Sequence, residues 1–345
     1  LILTKVITIS AIISLSLSAY ANDAITPYVV GGVDSKSLEL PWQVYLEINK
    51  NGATYACGGT LITDDWVVTA AHCLNESDSR TVFSPVNINQ VTVYSGGIDR
   101  TSSGNMSGNV VTELIAHPDY GRVDVIGDIA LLKLSLPVSL PALPIKLMDD
   151  DSQIDADIEF NAGTSNNLVV SGWGRTSADR TQTTNILQKT VVNGVDDDTC
   201  ALNWRLFGVE SKFICANAYD RGSCNGDSGG PLIWQNKSAR SDNDRGYRLA
   251  GVVSFGLLDQ CADYQYPDVY TEVNHYSAWI KAKIEEVDMP GTYQSPDSSF
   301  TQDIFLMEES TPPSESTPPS ESSGGGISYS FVVLLAGFLL HRRKN

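Results

Sequence analysis

The sequence predicts an all-β protein closed by a single helix. Three observations carry this. Glycine is plentiful, at 28 of 345 residues. Short apolar-alternating runs recur between turn residues. Only one stretch repeats near 3.6 residues. In order, Gln43 to Ile48, Gly59 to Ile62, Trp66 to Ala70 and Val91 to Tyr94 read as strands. Ile129 to Leu134, Leu168 to Ser171, Leu232 to Trp234 and Gly251 to Phe255 follow. Tyr276 to Val287 reads as a helix, with Trp279, Ile280, Ile284 and Val287 close to one face. Between the two motif-rich stretches, Pro137 to Asn167 reads as a connection between two halves.

Composition narrows the function classes. The formal net charge is -18, with acids spread along the chain, and such a surface repels nucleic acid. The six cysteines show no short paired zinc spacing. An even count beside an export signal implies disulfides, and six cysteines admit fifteen pairings. No metal and no cofactor is expected.

Both ends read as processing signals. Residues 1–21 form a signal peptide: Lys5, an apolar run from Val6 to Leu17, then Ala19-Tyr20-Ala21 for signal peptidase. Residues 288–323 are rich in Pro, Ser, Thr and acids and read as a disordered spacer. Residues 324–345 join three glycines, an apolar run from Ile327 to Leu340 and the basic His341-Arg342-Arg343-Lys344. The apolar run is roughly half to three-quarters of a comfortable span. This end resembles the GlyGly-CTERM sorting signal of Gram-negative bacteria. The resemblance implies a C-terminal processing protease, a transient membrane association and a secreted or cell-surface product. A plain membrane anchor is the other reading.

Three islands carry chemistry: Thr69-Ala70-Ala71-His72-Cys73, Gly127-Asp128-Ile129-Ala130-Leu131-Leu132 and Cys224-Asn225-Gly226-Asp227-Ser228-Gly229-Gly230-Pro231-Leu232. A serine hydroxyl is a poor nucleophile until a base removes its proton. A histidine does that near neutral pH, and a carboxylate fixes its tautomer. With Val29-Val30-Gly31-Gly32, Pro41-Trp42-Gln43, Ser171-Gly172-Trp173-Gly174 and Val252 to Gly256, the chain closely resembles chymotrypsin-like serine proteases over most of residues 29–285.

The resemblance implies two six-stranded antiparallel β-barrels with a C-terminal α-helix, over residues 29–287. It implies a catalytic triad of His72, Asp128 and Ser228. It gives an oxyanion hole from the Gly226 and Ser228 N–H groups. Asp124 is the fallback acid. The implied disulfides are Cys57–Cys73, Cys200–Cys215 and Cys224–Cys261. Activation would release residues 22–28, and the new Val29 ammonium would pair with Asp227. Tyr28 stands before that cut where many relatives carry Arg or Lys, so a chymotrypsin-like activating protease, or the enzyme itself, is expected. Gly222, Ser223, Ser254, Phe255, Gly256 and Asp268 would line the substrate pocket. Gly222 replaces the usual trypsin Asp, and Asp268 stands where trypsins usually have Gly. The expected preference is therefore broad: Arg and Lys, with large hydrophobic residues accepted.

Two other readings fit parts of the sequence. Gly226-Asp227-Ser228-Gly229-Gly230 also fits the G-x-S-x-G elbow of α/β-hydrolases, hence an esterase. That fold needs βα units and the order Ser, acid, His, whereas the order here is His, Asp, Ser. A catalytically inactive binding protein on the same scaffold is the alternative, and it is disfavoured by the intact triad motifs. Peptide or protein substrates are the expected partners, and a monomer is the default state.

Overall fold

A computed structural model describes residues 29–77, 82–101, 105–121 and 126–307. The stretches expected as signal peptide, propeptide and GlyGly-CTERM-like tail lie outside the described residues, as does Asp124.

Two closed antiparallel barrels of six strands each form the body. The first uses β2 (Gln43–Lys50), β3 (Ala53–Leu61), β4 (Trp66–Thr69), β5 (Val91–Ser95), β6 (Ser107–Ala116) and β7 (Ala130–Leu134), closed in the order β2-β3-β4-β7-β6-β5. The second uses β8 (Leu168–Gly172), β9 (Gln188–Val195), β10 (Phe213–Asn217), β11 (Pro231–Gln235), β12 (Tyr247–Phe255) and β13 (Asp268–Glu272). The pairing β8–β9 closes it, and short β1 (Val33–Asp34) adds to its β9 edge. Closure leaves each barrel no free edge in its ring, and inward residues fill the core. The expected fold is the observed one.

Along β2 the even positions Val44, Leu46, Ile48 are fully buried, while Tyr45, Glu47 and Asn49 are less so. That is the period-2 pattern that made this strand legible. Strands β10 and β13 are buried at nearly every position, so no alternation marked them. Helix α1 (Asp150–Asn161) lies inside the stretch expected as a connection. Its N-cap Asp149 accepts the Ser152 N–H at 2.8 Å, satisfying one orphan donor of the first turn. Helix α2 (Asp197–Trp204) is capped the same way by Asp196. Helix α3 (Val273–Val287) starts three residues before the expected point and buries Val273, Tyr276, Ile280 and Ile284.

The spacer reading of residues 288–323 needs correction in its first part. Residues 288–307 lie on the body: Phe300 and Ile304 are buried at 7% and 0% exposure. Low-complexity composition suggested solvation, but Tyr293, Phe300, Ile304 and Phe305 supply enough apolar surface to dock. No helix among the described residues is long and apolar enough to cross a membrane.

Candidate active site

His72 stands in the tight turn Ala71–Leu74 that follows β4. Cys73 beside it is tied to Cys57 on β3, which pins this turn to the barrel. Asp128 precedes β7 and is 4% exposed. Gly127 adopts φ +73°, and a Cβ there would lie 2.8 Å from the Tyr120 nitrogen. The chain can therefore turn tightly only with glycine at this point. Ser228 lies in the loop before β11. The Gly58 N–H of the first barrel donates to the Ser228 carbonyl at 2.7 Å, fixing the loop between barrels.

The His72 Nδ1 atom is 2.8 Å from Asp128 Oδ2, and the His72 N–H donates to Asp128 Oδ1 at 2.9 Å. Two further donors come from the second barrel. Ser254 Oγ donates to Asp128 Oδ2 at 2.5 Å, and Thr271 Oγ1 to the Asp128 carbonyl at 2.9 Å. Ser254 sits where the β12–β13 register shifts between Val253 and Phe255, a bulge that re-aims its side chain. Burial on its own raises the Asp128 pKa; the facing His72 and the hydrogen bonds from His72 and Ser254 outweigh it, and the net shift is downward. Asp128 therefore stays ionised against His72.

A cleft of about 330 Å³ opens beside these groups. Its lining includes His72, Ser228, Ser223, Ser254, Phe255, Gly256 and Asp268. Asp268 is 6% exposed and accepts the Ser223 N–H and Oγ–H on Oδ2, at 2.7 and 2.9 Å. A Cβ on Gly222 would lie 2.6 Å from Asp268 Oδ2, and one on Gly256 2.9 Å from Oδ1. Glycine at both positions is what makes room for the carboxylate. Burial raises the Asp268 pKa to about 7, since its partners are neutral hydroxyl and amide groups.

Asp227 is fully buried and accepts the Gly174 and Cys224 N–H groups at 2.8 and 2.9 Å. Among the described residues no ion pair involves it, and burial raises its pKa to about 7. Val29 is fully buried too, packed in the second-barrel core with Ala216, Ala218 and Val253. The Gly222 N–H donates to the Val30 carbonyl at 3.1 Å. In the uncut chain the Val29 nitrogen is an amide, so it brings no charge to Asp227. Gly226 adopts φ +104° and passes so close to Gly174 that a Cβ would lie 2.9 Å from its Cα.

All three disulfides are present as the resemblance implied: Cys57–Cys73, Cys200–Cys215 and Cys224–Cys261. Closing loops of this size typically stabilises by about 3 kcal/mol each. The last braces both walls of the cleft, since Cys224 and Cys261 line it. Cys57, His72 and Cys73 form a cluster close enough for a metal ion, but both sulfurs are spent in a disulfide.

The trypsin family profile matches residues 29–280. The chain belongs to the trypsin family. It is 33% identical over 263 residues to coagulation factor XI of Bos taurus, covering 74% of this chain but 38% of that protein. It is 31% identical over 262 residues to a trypsin of Phaedon cochleariae, covering 74% of this chain and 88% of that one. A serine endopeptidase acting on proteins is the activity this membership supports.

Sequence reasoning missed Thr271, which lies in a strand with no alternation. It also missed Arg180, which lines the cleft and donates from its guanidinium to the Leu258 carbonyl. A lone arginine in a polar loop carries no signal for either contact.

Proposed function

We propose that this trypsin-family protein is a secreted serine endopeptidase made as a zymogen, working through His72, Asp128 and Ser228. The observation that carries the reading is the half-buried His72, held by buried Asp128 at 2.8 Å, lining the cleft that Ser228 also lines. His72 takes the Ser228 proton as Oγ attacks the scissile carbonyl, and returns it to the leaving amine. Asp128 stabilises the imidazolium and fixes its tautomer. The Gly226 and Ser228 N–H groups receive the oxyanion as charge develops. Water then hydrolyses the acyl-enzyme by the same proton route.

Activation is a cut between Tyr28 and Val29. The new ammonium then meets Asp227, whose buried carboxyl otherwise favours the neutral form. Supporting this, Val29 already lies in the core of the second barrel. Asp268 gives the pocket a carboxylate that ionises when an Arg or Lys side chain enters. Tyr, Phe or Leu side chains are also accepted in this reading, with Gly256 in the lining.

The test is a peptide panel varied at the residue before the scissile bond, with protein beginning at Val29 and a Ser228→Ala control. Cleavage lost in the control supports the reading. No cleavage of any peptide by correctly cut protein would instead favour a binding protein on this scaffold.

A further inference from the structure

Residues 288–307 run past the terminal helix and touch every major part of the body. Asp288 accepts Trp66 Nε1–H at 2.8 Å and pairs with Lys133 Nζ at 2.6 Å, both on the first barrel. Ser298 Oγ donates to the Pro144 carbonyl of the inter-barrel connection at 2.6 Å. Phe300 then wedges between Trp42, which leads into the first barrel, and Tyr247 on β12 of the second. The ring centroids are 4.7 and 6.1 Å away. Trp42 and Tyr247 are both fully buried. Tyr247 Oη donates to the Gln302 carbonyl at 3.0 Å.

The far end of this segment meets the stretch that follows Val29. Lys189 Nζ is almost wholly buried and makes three contacts: Glu39 Oε1 at 2.6 Å, the Ile304 carbonyl at 2.8 Å and the Leu306 carbonyl at 2.7 Å. Lys189 is also the β9 residue paired with Val33 of β1. Gln302 Nε2 donates to the Ser37 carbonyl at 2.7 Å. One buried ammonium thus joins the second barrel, the Val33–Glu39 stretch and residues 304–306. Without those carbonyls Lys189 would keep a buried charge with two donors unmet.

We propose that residues 288–307 form a strap of the catalytic unit that ties the two barrels together and holds the Val33–Glu39 stretch, and so the Val29 end, in place. The catalytic unit then extends at least to Met307, and any cut that frees it from the tail falls beyond that residue. The link to Val29 docking rests on the activation step proposed above.

The test uses the full chain carrying Ser228→Ala, so it reads the strap whether or not the protein is a protease. Limited proteolysis by an unrelated broad protease, read by mass, is expected to leave a core ending at or beyond Met307. A core ending near Val287 overturns the proposal. In the same background, Phe300→Ala is expected to speed hydrogen exchange at Ser35, whose N–H donates to the Leu187 carbonyl, by at least about tenfold. Unchanged exchange at Ser35 and an unchanged melting temperature would overturn it. A failure of the peptide panel with strap protection intact would reject the protease reading alone.

Discussion

Asp128 and Asp268 are buried alike, at 4% and 6% exposure, the first against His72 and the second in the cleft lining, yet their acidities move in opposite directions. Asp128 faces an imidazole and takes N–H and O–H donors on both oxygens, and its pKa is lowered. Among the described residues Asp268 has only the Ser223 amide and hydroxyl as hydrogen-bond donors, and its pKa rises to about 7. Burial penalises both charges. A partner able to carry positive charge decides which one remains ionised. The first carboxylate is permanently committed to a partner within the fold. The second is left for a partner that arrives with the substrate.

The largest effect that would test this contrast is Asp128→Asn. It removes the charge facing His72 and permits the wrong tautomer, so kcat should fall by about four orders of magnitude. A loss below about tenfold in single-turnover peptide cleavage would remove Asp128 from the mechanism.

Next comes Asp268→Asn, which should cost Arg and Lys peptides roughly thirtyfold or more in kcat/KM, the worth of about 2 kcal/mol for a charge-assisted contact. Tyr peptides should change little. In the unmodified enzyme the Arg-to-Tyr ratio of kcat/KM should rise with pH through about 7, as Asp268 ionises. Because it is a ratio, any titration common to both substrates cancels. A flat ratio would mean that Asp268 serves only the pocket wall.

Asp227 extends the comparison to a third buried acid. Its folded pKa of about 7 lies above the ordinary carboxylate value, so the folded state holds a proton that the unfolded state has lost. That contribution is fully present below about pH 4 and is lost as pH rises through 7, at about 1.4 kcal/mol per pH unit. The uncut chain should therefore melt lower at pH 8 than at pH 5. Protein beginning at Val29 should show a smaller fall, because its ammonium pairs with Asp227. Equal pH slopes before and after the cut would argue against that pair.

The smallest effect is expected of Ser254→Ala. It deletes one donor of several on Asp128, so kcat/KM should drop by about tenfold with folding intact.

The site was more legible than the architecture around it. His72, Asp128 and Ser228 each sit in a run whose residue types are constrained by local geometry, such as Gly127 and Gly229, both at positive φ. Such constraints are local and therefore readable. Strands β9 and β13 were not, because both of their faces are buried, so the period-2 signal vanishes, and polar residues such as Lys189, Asp268 and Glu272 interrupt the apolar run that marked the equally buried β8 and β11. Helix α1 escaped for a related reason. Its buried positions, Ser152, Gln153, Ala156 and Phe160, are mostly small or polar and show no apolar stripe.

The sequence by itself determined the fold class, the order of the three chemical islands and the glycines that leave room around them. All of these follow from short-range sterics and residue chemistry. Only the tertiary structure decided which donors reach Asp128 from the second barrel, and that Asp268 sits between Gly222 and Gly256. It alone decided that residues 288–307 dock. A buried lysine such as Lys189 and a Pro/Ser-rich tail give no hint of each other at a separation of 115 residues. Their pairing follows from a burial cost that exists only once both barrels have closed.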